Sequence, residues 1–349
     1  MKNKEYNYYI DFLKFIFSLI IVIYHSWIFT GTFGAGYFNY GFLAVGFYFI
    51  TTGYLMMNSI NKKKKYKDLG IDTLNFLKNK IIKILPYIIL AFIIGGFFTY
   101  KRNFLNIATL FSDTVVGEFL QIGSTGYSFS INTASWYISS MMIALLVLYP
   151  LARKYKNTYS YIIAPIILIS LLILVKTYNI NTNDPLLISF ICQNGLYKAF
   201  IFIILGNFAY LITEKIKELK NNKLINIFLT IGESVIYILL IWTFHFNSFG
   251  NLVVALLTLF GVAITFSNRS YTSKIFNNKI FATLGKFGFI MYLNNTYVRT
   301  AIQIAYPTWR FRKKFIWYIA IVLVISLISY LIIEIIFKWI KEKIKIISK

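Results

Sequence analysis

Long apolar runs separated by short polar connections follow one another along the whole chain. Ten of them stand out, at 8–30, 37–58, 81–100, 135–152, 160–177, 187–213, 224–244, 249–267, 281–303 and 315–338. Apolar runs of about 17–25 residues are long enough to cross the hydrocarbon core of a bilayer as helices. Two consecutive runs near the C-terminus are long enough to tilt. The pattern predicts an all-α, polytopic transmembrane helix bundle of ten spans. It leaves no residues for a sizeable soluble domain, so 1–349 reads as a single membrane-embedded domain. A weaker segment at 103–122 carries Asp113 and Glu118 and fits an interfacial helix better than a crossing. No small-residue cleavage site follows the first run, which therefore reads as a retained span and not a signal peptide.

The polar connections carry the orientation. Basic residues gather at Lys2 and Lys4, in "NKKKKYKD" (61–68) with Lys78, Lys80 and Lys83 behind it, in "ARKYK" (152–156), in "EKIKELKNNK" (214–223), in "NRSYTSKIFNNK" (268–279) and in the tail "KWIKEKIKIISK". The intervening connections, such as "GTFGAGYFN" and "HFNSFGN", are nearly uncharged. Basic connections favour the cytoplasm, so both termini are expected there. "WRFRKK" at 309–314 breaks the pattern by falling on the outer side, where it meets either lipid headgroups or an anionic glycan.

Composition sharpens this picture. Only 14% of the 349 residues are charged and 58% are hydrophobic, whereas soluble domains carry about a quarter charged residues. The mean hydropathy is +0.65. The formal net charge of +24 would suggest nucleic acid as the partner of a soluble protein. Here the charge sits between apolar runs, so the expected partner is the anionic face of a lipid bilayer. The expected location is the cell membrane, multi-pass. The single cysteine, Cys192, allows no intramolecular disulfide and reads as a packing residue. Two histidines and no Cys/His cluster argue against a metal site. Lys, Ile, Asn, Tyr and Phe are abundant, as in proteins of AT-rich genomes, where Lys stands for Arg.

Ionisable groups inside spans are candidates for function. In "YNYYIDFLKFIFSLIIVIYHSWIF", Asp11 and Lys14 are three apart on one helical face near the basic end. They read either as an interfacial pair that snorkels or as part of a site. His25 lies eleven residues beyond Lys14, roughly 16 Å deeper on nearly the same face. It reads either as a neutral, hydrogen-bonded histidine or as a general base or proton carrier. Lys80 and Lys83 lie at i,i+3 before Pro86, where they follow either positive-inside bias or the need to clamp phosphates.

Taken in order, these segments resemble the acyltransferase family 3 membrane proteins. "YIDFLKFIFSLIIVIYH" is similar to that family's Asp-x-x-Arg…His span, with Lys14 in the Arg place and His25 in the essential His place. "AVGFYFITTGYLMM" resembles Val-x-x-Phe-Phe-x-x-Ser-Gly through Tyr48, Phe49, Thr52 and Gly53. "FLKNKIIKILP" resembles Arg-x-x-Arg-Ile-x-Pro with Lys80 and Lys83 replacing both arginines. "ASWYISSMMIALLVLYPL" is similar to the Trp-Tyr span, here Trp136 and Tyr137. "LGKFGFIMYLNN" resembles Leu-Gly-x-x-Ser-x-x-x-Tyr-Leu-x-His, with Tyr292 kept, Gly288 for the serine and Asn295 for the late histidine.

The resemblance implies transfer of an acyl group, by default acetyl, from cytoplasmic acetyl-CoA or another acyl-CoA to a carbohydrate acceptor. That acceptor would be a cell-surface polysaccharide or its lipid-linked precursor. His25 would be the catalytic residue. Lys80, Lys83 and Lys14 would hold the donor phosphates, and Asp11, Tyr48, Thr52, Gly53, Trp136, Tyr137, Tyr292 and Asn295 would line or orient the site. Any group orienting His25 is expected from another span, with Tyr48, Trp136 and Tyr292 as candidates. Two alternatives stand beside this reading: a glycan transporter or polymerase-type protein, and an inactive family member serving as a sensor.

Overall fold

A computed structural model of the chain describes residues 6–32, 36–63, 66–100, 106, 109, 111–127, 129, 131–247 and 249–347. Lys2, Lys4, Lys64, Lys65, much of 103–110 and the side chains of the 340–349 tail lie outside the described residues. The chain folds as helices: α1 (Tyr8–Tyr24), α2 (Val45–Lys62), α3 (Leu69–Tyr100), α4 (Asp113–Phe119), α5 (Trp136–Lys154), α6 (Lys156–Thr177), α7 (Asn194–Glu218), α8 (Lys223–Phe246), α9 (Asn251–Ser267), α10 (Tyr271–Ile275), α11 (Lys279–Ala305) and α12 (Phe311–Ile347). A two-stranded hairpin, β1 (Ile188–Ser189) and β2 (Cys192–Gln193), precedes α7.

Eight helical segments in the described residues are long and apolar enough to cross a membrane. The two remaining expected runs, 249–267 and 281–303, fall on α9, a shorter apolar helix, and on the 27-residue α11, neither of which is among these eight. Lipid offers no partner for a free backbone amide, which is why an apolar chain of this length closes its hydrogen bonds inside helices. Successive long helices run in alternate directions. Lys286 near the start of α11 pairs with Glu334 far along α12, and Asn7 before α1 bonds the carbonyl of Thr265 at the end of α9. Two helix pairs pack with almost no intervening side chain. A Cβ on Gly288 of α11 would lie 2.9 Å from the Cα of Phe15 in α1, and one on Gly206 of α7 would lie 2.3 Å from the Ile50 carbonyl of α2.

Three boundaries differ from the hydropathy pattern. The helix expected from 81 starts at Leu69, because Lys78, Lys80 and Lys83 continue the helix beyond the apolar run. The run expected to span from 187 becomes helical only at Asn194, since Leu187, Ile188, Phe190 and Ile191 sit exposed in and around the hairpin. Hydropathy records what lipid tolerates, not where the helix begins. Among the described residues of the 103–122 segment the short α4 forms, with Asp113 exposed and Glu118 fully buried.

Candidate active site

Two large cavities enter the bundle from opposite ends. The first, about 810 Å³, is lined at the basic end by Asp11 and Lys14 of α1, Thr51 and Thr52 of α2, Lys80 and Lys83 of α3, Tyr137 of α5 and Lys286 of α11. Lys14 donates to Asp11 at 2.9 Å, and Lys286 pairs with Glu334 at 2.8 Å. Lys80 and Lys83 have no hydrogen bond or ion pair among the described residues, so they are the uncompensated cations of this cavity. Pro86 lies inside α3 and lacks an N–H, which leaves the carbonyl of the cavity-lining Ile82 without its helical partner.

The second cavity, about 700 Å³, opens toward the other end and contains His25, Tyr24, Trp27, Thr133, Trp136, Lys198, Tyr292, Thr296 and Arg299. Helix α1 stops at Tyr24, and His25 opens a 3₁₀ turn that runs to Thr30. Its Nδ1 donates to the Ile21 carbonyl at 2.9 Å. In its neutral form the ring therefore carries its lone pair on Nε2. The orienting partner of His25 is a carbonyl of its own helix and not a side chain of Tyr48, Trp136 or Tyr292, because the tightened last turn of α1 brings that oxygen within reach of the ring.

Between the cavities lies a constriction of about 10 Å³, lined by Ser18, Val45, Tyr48, Tyr137, Phe289 and Tyr292. That space holds roughly one water. Tyr48 and Tyr137 belong to both the constriction and the first cavity, and Val45 and Tyr292 to both the constriction and the second. Two of these tyrosines are hydrogen-bonded to backbone carbonyls. Tyr48 Oη donates to the Lys14 carbonyl at 2.5 Å beside Ser18 Oγ at 2.7 Å, and Tyr292 Oη donates to the Ala134 carbonyl at 3.0 Å. The Tyr137 ring stands edge-on to both, with centroids 6.0 Å from each. Lys14 and His25, which their spacing puts on nearly the same face of α1, therefore line different cavities, with the aromatic constriction between them.

The match with known proteins covers this whole arrangement. The pattern of acyltransferase family 3, described as an acyltransferase domain, matches residues 7–335. The chain belongs to that family. Its curated relatives include proteins named Putative O-acetyltransferase in Staphylococcus aureus strains MSSA476, N315 and COL, each 25% identical over 323 residues. The alignments cover 84% of this chain and 50% of each relative, so the chain spans about half the length of the proteins it matches. No solved structure matches.

Of the expected site residues of this family member, two fall outside both cavities. Gly53 lies in the α2–α7 crossing, where a Cβ would lie 2.0 Å from the Ile203 carbonyl, so it serves close helix packing and lines neither cavity. Asn295 is fully buried on α11, and its amide folds back onto the Tyr292 carbonyl at 2.5 Å. At about 100° per residue it points a sixth of a turn away from Tyr292, and the cavity receives Thr296 and Arg299 of the same helix instead. Among the described residues, no group of three His, Cys, Asp or Glu side chains is assembled.

Three residues were missed. Lys198 and Arg299 lie within predicted spans and line the His25 cavity; the rule that selected Lys14 and His25 applies equally to them. Glu118 accepts hydrogen bonds from the backbone N–H groups of Ile131 (2.8 Å) and Asn132 (2.6 Å). Asn132 in turn donates to the Leu293 carbonyl and accepts from Thr296 Oγ1. These bonds fix the segment that carries Thr133 and Ala134 into the cavity wall. Their partners are up to 164 residues apart in sequence, so no local motif announces them.

Proposed function

We propose that this protein transfers an acyl group, by default acetyl, from acyl-CoA to a hydroxyl of a cell-surface polysaccharide or its lipid-linked precursor. The observation that carries the reading is the pair of cavities meeting at the tyrosine constriction, with unpaired cations on one side and His25 on the other. Family membership supports acyl transfer in general. Lys80 and Lys83, supported by Lys14, hold the donor's phosphates as point charges at the cytoplasmic end. The pantetheine arm is narrow and only weakly polar, which suits passage between Tyr48, Tyr137 and Tyr292 once those rings turn aside. The thioester then meets the second cavity, where the acceptor enters from the opposite side.

His25 Nε2 takes the proton of the acceptor hydroxyl as its oxygen attacks the thioester carbonyl. The tetrahedral intermediate collapses with cleavage of the C–S bond, and the imidazolium returns the proton to the departing CoA thiolate. The same lone pair could instead accept the acyl group first. Acid quenching of the enzyme with radiolabelled acetyl-CoA and no acceptor separates the routes, because only the second leaves label on the protein.

The test of the whole reading uses purified protein, labelled acetyl-CoA and cell-envelope glycan. The wild type is expected to acetylate the glycan, and His25→Ala to lose at least about a hundredfold in turnover while still binding acetyl-CoA. Absence of both donor binding and transfer would overturn the reading. Full transfer by His25→Ala would remove His25 from its role and leave family membership untouched.

A further inference from the structure

We infer that the acceptor is anionic, carrying a carboxylate or phosphate that Arg299 and Lys198 hold beside His25. This rests on the reading of the His25 cavity as the acceptor side of an acyltransferase. Two cations line that cavity against one carboxylate, the exposed Asp184 at its rim. Arg299 has a buried Nε with no hydrogen-bond partner, and no ion pair forms to it among the described residues. Lys198 is 3% exposed; among the described residues its Nζ reaches only the Phe42 carbonyl, at 3.3 Å, and the face of the Phe42 ring. Charges kept inside a membrane bundle without counterions are costly and ask for a partner of opposite sign. A neutral sugar would leave both uncompensated. A uronate or phosphate group would satisfy the guanidinium fork, and a glycan that repeats such groups would bring another to the ammonium in the same cavity.

A second observation lies at the same end of the bundle. The junction between α11, the helix that carries Arg299, and the first turn of α12 exposes Arg310, Arg312 and Lys313. It also carries the stacked rings of Tyr306 and Trp309, 3.9 Å apart, with Lys313 over Trp309. The α12 ring Tyr318 packs on Phe29 of the His25 turn, which ties this surface to the cavity. Cations and flat aromatic faces outside, with cations inside, fit a glycan whose negative charges repeat along its length.

The experiment measures binding of three fluorescent oligosaccharides of equal length to the detergent-purified full chain. They are an oligogalacturonide (carboxylates), a polyol-phosphate oligomer (phosphates) and a neutral maltooligosaccharide. At least one anionic probe is expected to bind about tenfold more tightly than the neutral one, with affinity falling as salt rises. Arg299→Gln and Lys198→Gln are each expected to erase that preference, and Arg299→Lys to retain most of it, which controls for folding. Equal binding of all three probes, or a preference unchanged by Arg299→Gln, overturns the inference even if acetyl transfer proceeds. Selective anion binding without any acetyl transfer would instead sink the acyltransferase reading and leave the anion site standing.

Discussion

Lys80 and Lys83 are three residues apart on α3, and neither finds a partner within the described residues. Lys14, on a neighbouring helix, spends its charge on Asp11. The donor phosphates would therefore draw chiefly on Lys80 and Lys83. Lys80→Met is expected to raise the KM for acetyl-CoA about tenfold with little change in turnover, the signature of lost uniform binding. Lys80→Arg should restore it, and the mutant KM should respond less steeply to salt. A fall in turnover at unchanged KM would place Lys80 in the chemistry instead. At this scale the sequence was readable wherever chemistry follows from type and spacing. The i,i+3 offset of Asp11 and Lys14 gave their ion pair, and depth along α1 separated His25 from the basic end. It was unreadable wherever a role depends on what comes through space. Gly53 and Asn295 sit inside familiar motifs, yet one packs against α7 and the other folds back on its own helix.

Elements are held in place by two devices that leave little trace in a hydropathy pattern. The first is backbone contact. At the α2–α7 crossing Gly206 meets the Ile50 carbonyl and Gly53 meets that of Ile203, atoms that cannot swing aside as a side chain does. Gly206→Val should lower stability by roughly 1–3 kcal/mol through overpacking, read as an earlier thermal unfolding transition in detergent. An unshifted transition would mean that α7 slides freely over α2. The second device is a buried carboxylate. Glu118 satisfies two amides of the segment that carries Thr133 and Ala134 into the His25 cavity, and orphaning both would cost about 1–3 kcal/mol each. Glu118→Ala should cut acetyl transfer at least tenfold while acetyl-CoA binding, on the far side of the constriction, stays within twofold. Glu118→Gln keeps one acceptor oxygen and should recover part of the loss. Equal damage to donor binding would show Glu118 to be a general fold determinant and not a positioning residue.

The whole molecule is a set of long antiparallel helices with a charge asymmetry between its two ends, and under the proposed function that asymmetry would set the direction of transfer. The end bearing the Lys80 cavity gathers Lys62, Lys63, Lys154, Lys156, Lys220, Lys223, Arg269, Lys274 and Lys279 around it. Among the described residues the His25 end exposes fewer basic side chains, Lys176 at the end of α6 and Arg310, Arg312 and Lys313 at the α11–α12 junction argued above to meet anionic glycan. Basic connections stay in the cytoplasm, where acyl-CoA is made, so donor and acceptor would approach from opposite faces and meet within the bundle. Single-cysteine labelling in intact cells decides this. The native Cys192 is buried and would be replaced by Ala. Thr32, exposed at the end of the His25 turn, and Asn221, exposed between α7 and α8, then become the two reporter positions. Thr32→Cys should react with a membrane-impermeant maleimide added outside, and Asn221→Cys only after the cells are opened. The reverse pattern would put His25 on the cytoplasmic side and the lysine cavity outside, and would exclude a cytoplasmic donor from the site proposed for it. Reaction of both residues from one side would mean that the helices between Thr32 and Asn221 do not alternate across the bilayer, contradicting the antiparallel order seen in the bundle.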